Sequence, residues 1–180
     1  MVTITYYVHG TTTDNEQKLA TGWLPGELSP LGITQTHDLE KVVREQFYDV
    51  AICSDLHRAI QTAEIIFSED TVLRKDERLR EANYGDWNGK PAALFKDHME
   101  DYIDKPFPNG ESYRDVEARM RSLCEDIKTK YDGQHIALVA HQAPQLALDV
   151  ILGGKTWKQA IAEDWRKTGA YKPGWKYIIR

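Results

Sequence analysis

Two short apolar runs that each end on a histidine constrain the fold of this chain most. Residues 3–8 lead into His9, and residues 135–140 lead into His141. Both runs are β-branched and aliphatic and are bounded by polar or glycine-containing turns, which is typical of buried strands. Sites in open parallel α/β sheets form beyond the carboxyl ends of the strands. If the two strands are neighbours, the two imidazoles share one crevice.

Strand and helix patterns alternate along the rest of the chain. Further strands are predicted at about 50–53, 71–73 and 175–179. Helices are predicted at about 29–46, 91–102, 111–131, 143–152 and 157–165. One more helix is predicted to end at about residue 67, with Ser54 or Asp55 as its N-cap. This alternation predicts an α/β fold, a three-layer sandwich with a mostly parallel central sheet and helices on both faces. At 180 residues, we expect a single domain spanning 1–180.

Composition narrows the classes of partner and compartment. The formal net charge of −5 provides no basic surface for nucleic acid or an acidic membrane, so a phosphorylated substrate would need a locally positive pocket. Neither a signal peptide nor an 18-residue apolar stretch is visible. Cys53 and Cys124 show no metal-ligand spacing and are expected to be buried reduced thiols. A cytoplasmic location is therefore expected.

Two segments have the composition of an anion site. His9-Gly10 lies where a strand meets a loop, glycine permits close approach of a ligand, and Thr12 and Asn15 supply polar groups. Arg58 falls in the first turn of a predicted helix, where the helix dipole and a guanidinium both favour phosphate. Taken alone, a histidine after a strand is more often structural, and an arginine in a first helical turn is as often an ordinary surface residue.

Two more segments carry groups suited to proton transfer and anion binding. Glu81 lies in a loop near Tyr84 and Trp87, where partial desolvation would make it a proton donor, although a solvated loop carboxylate has the same sequence pattern. His141 ends its strand beside Gln142 and next to another predicted helix start. A structural histidine is again the alternative.

In this order the segments resemble the motifs of the histidine phosphatase superfamily, also called the phosphoglycerate mutase-like family. The resemblance covers nearly the whole chain and rests on these motifs: His9-Gly10-x-Thr12-x-x-Asn15, Thr21-Gly22-Trp23 through Leu28-Ser29-x-x-Gly32, Ser54-x-Leu56-x-Arg58-Ala59-x-Gln61-Thr62-Ala63, Leu79-Arg80-Glu81-x-x-Tyr84-Gly85-x-Trp87-x-Gly89, Asn109-Gly110-Glu111-Ser112, and Val139-Ala140-His141.

The resemblance implies a mechanism without metal or cofactor. His9 would attack phosphorus and become a phosphohistidine, while His141 and Arg58 hold the phosphoryl oxygens with help from Asn15. Glu81 would protonate the leaving alcohol and then activate water. Further phosphate contacts are expected from Gly10, Thr12, Gly22 and Gln142.

One position departs from the motif that the resemblance implies. Val8 precedes His9 where the family normally has arginine, so half of an arginine clamp is missing. Loss of one preorganised donor commonly costs about 10²–10³ in rate. His57 and Arg80 are candidate substitutes, with Lys18 a distant third. Gln142 stands where small residues are common, so its side chain would narrow the pocket or contact the substrate.

These observations leave three functions open. The leading hypothesis is a metal-independent phosphomonoesterase that acts on a small-molecule phosphomonoester through phosphorylated His9. A phosphoglycerate mutase-like phosphotransferase ranks lower because the chain is short. Val8 favours a third function, a phospholigand-binding protein with weak or no catalysis.

Two surface features carry further expectations. The predicted edge strand at 175–179 offers a surface for a homodimer. Acidic residues at 97–104 are expected near the pocket mouth, where they would disfavour substrates with several negative charges, unless they form a solvated helix face. These residues are Asp97, Glu100, Asp101 and Asp104.

Overall fold

A five-stranded sheet with helices on both faces forms the centre of the computed structural model, which describes residues 1–167 and 174–180. The strands are β1 (Val2–Val8), β2 (Leu19–Ala20), β3 (Val50–Cys53), β4 (Leu73–Lys75), β5 (Lys90–Pro91), β6 (His135–Ala140) and β7 (Trp175–Ile179). The α-helices are α1 (Thr13–Glu16), α2 (Pro30–Val43), α3 (His57–Ile66), α4 (Tyr113–Lys130), α5 (Gln142–Ile151) and α6 (Trp157–Ala162). Short 3₁₀ helices cover Glu77–Leu79, Gly85–Trp87, Ala92–Leu94, Lys96–Tyr102 and Trp165–Lys167.

The two strands that end on histidines are neighbours. The strand order is β4-β3-β6-β1-β7, with β7 antiparallel to β1 and the other pairs parallel. Val8 is paired with Ala140 in the β1–β6 register, so His9 and His141 leave the sheet side by side. The mostly parallel sheet and the edge strand at 175–179 are confirmed.

Alternating side chains of the sheet contribute to two buried clusters. Ile136 and Leu138 belong to the cluster that includes α4, α5 and α6, whereas Ala137 and Val139 belong to the cluster of α2 and α3. This division follows from the two-residue period of a strand. It confirms the three-layer arrangement.

The predicted helix at 91–102 is wrong as an α-helix. The segment forms two short 3₁₀ helices with non-helical dihedral angles at His98 (φ −127°, ψ 26°). Phe95 stacks on Trp87 and meets Phe107 edge to face, so aromatic packing decides the path of this backbone. The segment therefore forms an irregular wall rather than a regular helix.

The helix predicted for 157–165 is also shorter than expected. It ends at Ala162, and Asp164 Oδ1 accepts the backbone N–H of Arg166 at 3.1 Å. Such a local side-chain acceptor competes with helical hydrogen bonds. The chain turns here and places the Trp165–Lys167 segment beside the histidine edge of the sheet.

The N-terminus of α3 and the environment of the two thiols were both subjects of prediction. Neither Ser54 nor Asp55 caps α3, whose N-cap residue is Leu56 without a side-chain cap. Cys53 and Cys124 are buried, and burial raises the pKa of both thiols to about 11. In the described ranges, no helix is long and apolar enough to cross a membrane.

Candidate active site

His9 lines a cavity, and a backbone carbonyl group fixes one of its ring nitrogens. Its Nδ1 is 2.7 Å from the carbonyl oxygen of Gly10, which can only accept, so Nδ1 carries the proton. Nε2 of the neutral ring is therefore the nitrogen with the lone pair. Arg58 Nε donates towards that lone pair at 3.4 Å. The arrangement presents Nε2 as a nucleophile next to a cation.

The neutral state of His9 follows from its surroundings. Burial, and next the positive charge of Arg58, lower the pKa of His9 from 6.5 to about 3, with a smaller contribution from Arg166, while the Gly10 hydrogen bond opposes them. A histidine with so low a pKa keeps its lone pair at neutral pH. His9 therefore needs no separate base to expose its nucleophilic nitrogen.

His141 is the partner imidazole, with its ring centroid 5.0 Å from that of His9. It is fully buried behind the cavity and, unlike His9, is not among the described lining residues; in the described part of the chain neither of its ring nitrogens has a hydrogen-bond partner. Burial, and next the charge of Arg58, lower the pKa of His141 well below 6.5. Its backbone is held by the hydroxyl of Tyr6, which donates to the carbonyl oxygen and accepts the N–H. An unpaired buried polar group costs about 1–3 kcal/mol, which a bound oxygen would relieve.

Arg58 is buried and engages the loop that surrounds the site. Nη1 donates to the carbonyl oxygens of Leu24 and Pro25 at 2.9 and 3.3 Å, and Nη2 donates to that of Gly22 at 2.8 Å. Gly22 has φ +53°, and a Cβ there would lie 1.8 Å from Asn88 Oδ1. Gly22 thus lines the cavity, and its carbonyl oxygen accepts a hydrogen bond from Arg58. Three of the five N–H groups of the guanidinium therefore donate to carbonyl oxygens of the loop.

Close packing of the loop after β1 against helix α2 positions Gly10. A Cβ on Gly10 would lie 2.5 Å from Thr36 Oγ1 and 2.7 Å from the carbonyl oxygen of Gly32. The Gly10 N–H donates to Thr62 Oγ1 at 3.2 Å. In this structure Gly10 therefore shapes the loop after β1 and orients His9, and its amide already has an acceptor.

Thr12 and Asn15 form a capping box at the start of α1. Asn15 N–H donates to Thr12 Oγ1, and Thr12 N–H donates to Asn15 Oδ1, both at 3.1 Å. Thr12 is buried and lies outside the cavity lining, contrary to its predicted contact with phosphate. Asn15 lines the cavity, and because Oδ1 is the capping acceptor its Nδ2 is the donor left for a ligand.

Glu81 is buried and lines the same cavity. Its Oε1 accepts the N–H groups of Ala82 and Ala143 at 2.9 Å, and its Oε2 accepts the N–H of Gln142 at 3.1 Å. Two of these donors belong to the first turn of α5, which favours a carboxylate. The sheet edge, the loop and this helix start thus bring Glu81 into the same cavity as His9.

Arg119, which sequence reasoning missed, fixes the backbone that carries Glu81. Nη1 of this α4 residue donates to the carbonyl oxygens of Arg78 and Arg80 at 2.6 and 2.7 Å, and Nη2 donates to that of Glu81 at 3.1 Å. Trp23 Nε1 donates to the same Glu81 oxygen at 2.7 Å. No local pattern marks Arg119, because its acceptors lie about 40 residues earlier in the chain.

The proposed substitutes for an arginine at position 8 lie elsewhere. Arg80 donates from Nε and Nη2 to both carboxylate oxygens of Asp55 at 2.8 and 2.5 Å, and its guanidinium lies 4.8 Å from the ring of Trp23. His57 is exposed on α3, and neither residue lines the cavity. Ion pairing and ring stacking therefore direct Arg80 away from His9, and both predictions are corrected. Lys18 does line the cavity, as an exposed side chain at its rim.

The cavity has a volume of about 640 Å³ and an excess of positive charge. Among the described lining residues, four carry cations and two carry carboxylates: Lys18, Arg58, Lys96 and Arg166, against Glu81 and Asp97. Val8 contributes an apolar side chain to the same wall. A locally positive pocket on an acidic chain matches the requirement stated for a phosphorylated substrate.

Of the acidic residues at 97–104, Asp97 alone belongs to the described lining of the cavity. Asp104 is paired with Arg114, and Glu100 lies 3.8 Å from Lys158. Most of these acidic residues therefore belong to a solvated face of the protein and not to the mouth of the cavity.

A second group missed by sequence reasoning lies after α6. Asp164 is buried; its Oδ2 accepts a hydrogen bond from Gln142 Nε2, and its Oδ1 accepts from Arg166 Nη1 at 2.8 Å. Gln142 and Arg166 both line the cavity. An Asp-Trp-Arg sequence carries no signal of its own, because only the fold brings it beside the start of α5.

Comparison with known proteins decides the family. The model of the histidine phosphatase superfamily (branch 1) matches residues 7–168. The chain belongs to the histidine phosphatase superfamily. It is 33% identical over 172 residues to a 2,3-bisphosphoglycerate-dependent phosphoglycerate mutase of Rhizobium rhizogenes, covering 86% of this chain and 81% of that protein.

Solved structures agree on the fold of this superfamily member. A mycobacterial glucosyl-3-phosphoglycerate phosphatase in complex with VO3 superposes with a TM-score of 0.80 at 30% identity, covering 89% of this chain and 86% of that one. A phosphoglycerate mutase from Bacillus anthracis, at 21% identity and a TM-score of 0.74, covers 85% of this chain and 80% of that one and shares the fold. The resemblance inferred from the motifs is confirmed, and relatives of this chain include both phosphatases and mutases.

Proposed function

We propose that this chain is a metal-independent phosphomonoester hydrolase that acts on a small-molecule substrate through a phosphohistidine on His9. The observation that carries this proposal is the neutral His9, whose Nε2 lone pair is fixed by the Gly10 hydrogen bond and lies beside Arg58 in a positive cavity. Phosphoryl transfer needs little besides an aligned nucleophile and positive charge on the phosphoryl oxygens.

The first half-reaction forms the phosphoenzyme. Nε2 of His9 attacks phosphorus as the bond from phosphorus to the alcohol oxygen breaks, and Glu81 donates a proton to that oxygen. The guanidinium of Arg58, the imidazole of His141 and Nδ2 of Asn15 stabilise the phosphoryl oxygens. His141 suits this part because its ring nitrogens have no other partner among the described residues.

The second half-reaction restores the enzyme. Glu81, now ionised, takes a proton from water, and the water oxygen attacks the phosphorus of phosphohistidine. The bond between phosphorus and Nε2 breaks, its electron pair returns to Nε2 of His9, and inorganic phosphate leaves. The backbone amides at the start of α5 hold the Glu81 carboxyl group in place for both steps.

The test is phosphate release from an aryl phosphate and from a panel of sugar, nucleotide and glycerate phosphates, in the presence of a chelator. Wild type, His9→Ala and the matched control His57→Ala are compared, since His57 is an exposed histidine outside the cavity. We expect turnover in wild type and His57→Ala, none in His9→Ala, and an acid-labile phosphoryl label on the wild-type protein. Equal turnover in His9→Ala refutes the phosphohistidine route.

A mutase-like phosphotransferase is the second candidate, favoured by the 33% identity to a phosphoglycerate mutase. Interconversion of 2- and 3-phosphoglycerate at a rate above their hydrolysis would place the chain there. The third candidate is a phospholigand-binding protein, favoured by the apolar Val8 beside His9. Saturable binding of phosphate esters without turnover or a phosphoryl label would identify it.

A further inference from the structure

We propose that Arg166 is a second cation that binds the phosphoryl group in this cavity, oriented by Asp164 and, through it, by Gln142. The inference rests on the proposed phosphate-ester chemistry of the cavity. It assigns a role to a residue that follows α6, far in sequence from every motif that carries the family resemblance.

Arg166 is built into the wall of the cavity by a buried carboxylate. Its Nη1 and backbone N–H both donate to Asp164 Oδ1, at 2.8 and 3.1 Å, and the Asp164 side chain is 3% exposed. A guanidinium has five N–H donors in a planar fork, so it can serve one carboxylate and one phosphoryl group together. The Arg166 side chain keeps 22% of its surface exposed, which leaves it accessible to a ligand.

Gln142 connects this arginine to the proton donor. Its side-chain Nε2 donates to Asp164 Oδ2, while its backbone N–H donates to Glu81 Oε2 at 3.1 Å. A continuous chain of contacts therefore runs from Glu81 through Gln142 and Asp164 to Arg166. The predicted contact of Gln142 with substrate thus becomes a positioning role that fixes Arg166 relative to Glu81.

The other cations of the cavity do not already supply what Arg166 would provide. Three N–H groups of Arg58 serve the carbonyl oxygens of the surrounding loop, and Val8 brings no charge. Lys18 and Lys96 line the cavity but are exposed, so their charges are more strongly screened by solvent than one held by a buried carboxylate. A fourth N–H, on Nε, is directed at His9 Nε2, so Arg58 has few donors left for a phosphoryl dianion, whose oxygens a further cation would stabilise.

The electrostatics of the histidines agree with this placement. The charge of Arg166 contributes to lowering the pKa of both His9 and His141, behind burial and Arg58 in each case. The charge of Arg166 therefore acts on both imidazoles, including that of the proposed nucleophile His9. The electrostatic effect supports a position already given by the cavity lining and the Asp164 contact.

The test compares Arg166→Ala and Arg166→Lys with the control Lys167→Ala. Lys167 is the next residue and carries the same charge, but it is exposed and lies outside the cavity lining. Turnover of the best substrate and calorimetric binding of inorganic phosphate and orthovanadate are measured for each. We expect Arg166→Ala to lose about 10²–10³ in kcat/KM and to weaken binding of both anions, Arg166→Lys to recover part of each loss, and Lys167→Ala to match wild type.

Two further measurements separate a binding role from a structural one. Guanidinium ion added to Arg166→Ala should restore part of its turnover and leave wild type unchanged. Asp164→Asn, which keeps the shape but removes the charge that orients Arg166, should raise KM more than it lowers kcat. Thermal unfolding of every variant identifies loss of fold, and Arg166→Lys is then the variant that decides.

The anion-binding assays distinguish failure of this inference from failure of the proposed function. If wild type binds phosphate but hydrolyses nothing, the hydrolase proposal fails while Arg166 is still judged by the affinity of its variants. If Arg166→Ala binds phosphate and vanadate as wild type does, the inference is overturned whatever the turnover. If wild type binds neither anion, the inference is overturned, while the hydrolase proposal is judged by turnover alone.

Discussion

The low pKa of His9 makes a quantitative prediction about stability and pH. In the unfolded chain His9 titrates near its ordinary value of 6.5, whereas in the folded protein burial and Arg58 lower its pKa to about 3. Between these values the unfolded state binds one proton more, so the free energy of unfolding falls as the pH is lowered. One pKa unit corresponds to about 1.4 kcal/mol, so the stability contributed by neutral His9 decreases by about 2 kcal/mol between pH 7 and pH 5.

Replacing His9 with a side chain that does not titrate should remove this loss. Urea unfolding of wild type, His9→Gln and the control His57→Gln is measured at pH 7, 6 and 5. The difference in unfolding free energy between His9→Gln and wild type should shift by about 2 kcal/mol in favour of the variant on going to pH 5. His57→Gln should follow wild type because His57 is exposed.

Wild type and both variants contain His141, so its effect on the pH dependence of stability largely cancels when each variant is compared with wild type. Parallel pH dependences for wild type and His9→Gln would show that His9 keeps an ordinary pKa when folded. The neutral-nucleophile explanation would then be refuted.

Three other substitutions test the framework of the site. Arg119→Ala should lower the free energy of unfolding by about 3 kcal/mol and reduce turnover, because the loop carrying Glu81 loses its donors; urea unfolding and kinetics measure both, and unchanged values would contradict the role of Arg119. Gly10→Ala should destabilise the protein and disturb His9, since its Cβ would overlap Thr36 Oγ1 and Gly32 O; a thermal scan equal to wild type would count against this. Glu81→Gln should reduce turnover by about 10²–10⁴ and accumulate the phosphoenzyme, measured by a chase of labelled protein; full activity would exclude Glu81 as the proton donor.

Local patterns were sufficient for the elements that carry the histidines. The apolar runs before His9 and His141 predicted two buried strands, and the mostly parallel sheet followed from the alternation of strands and helices. The edge strand at Trp175–Ile179 was predicted with its bounds. These successes share a cause, since strand periodicity and helix amphipathicity are properties of neighbouring residues.

The same local reasoning failed where a polar side chain is already bound to another protein group. Arg80 has the charge expected of a phosphate ligand, but Asp55 and the ring of Trp23 hold it elsewhere. Thr12 has a suitable hydroxyl that the capping box with Asn15 already uses. Composition shows which groups are present, whereas hydrogen-bond competition decides which are left for a ligand.

The chemical inventory of the site was present in the order of residues along the chain: a histidine after each of two strands, an arginine in the first turn of a helix, and a glutamate in an aromatic loop. The register that pairs Val8 with Ala140 sets the two histidines side by side, and the turn after α6 brings Asp164, with Arg166 bound to it, against Gln142. The amino-acid sequence by itself determines the local periodicity and which chemical groups are present. Packing of segments that are distant along the chain determines which charges meet, because electrostatic and hydrogen-bond energies depend on distance in space.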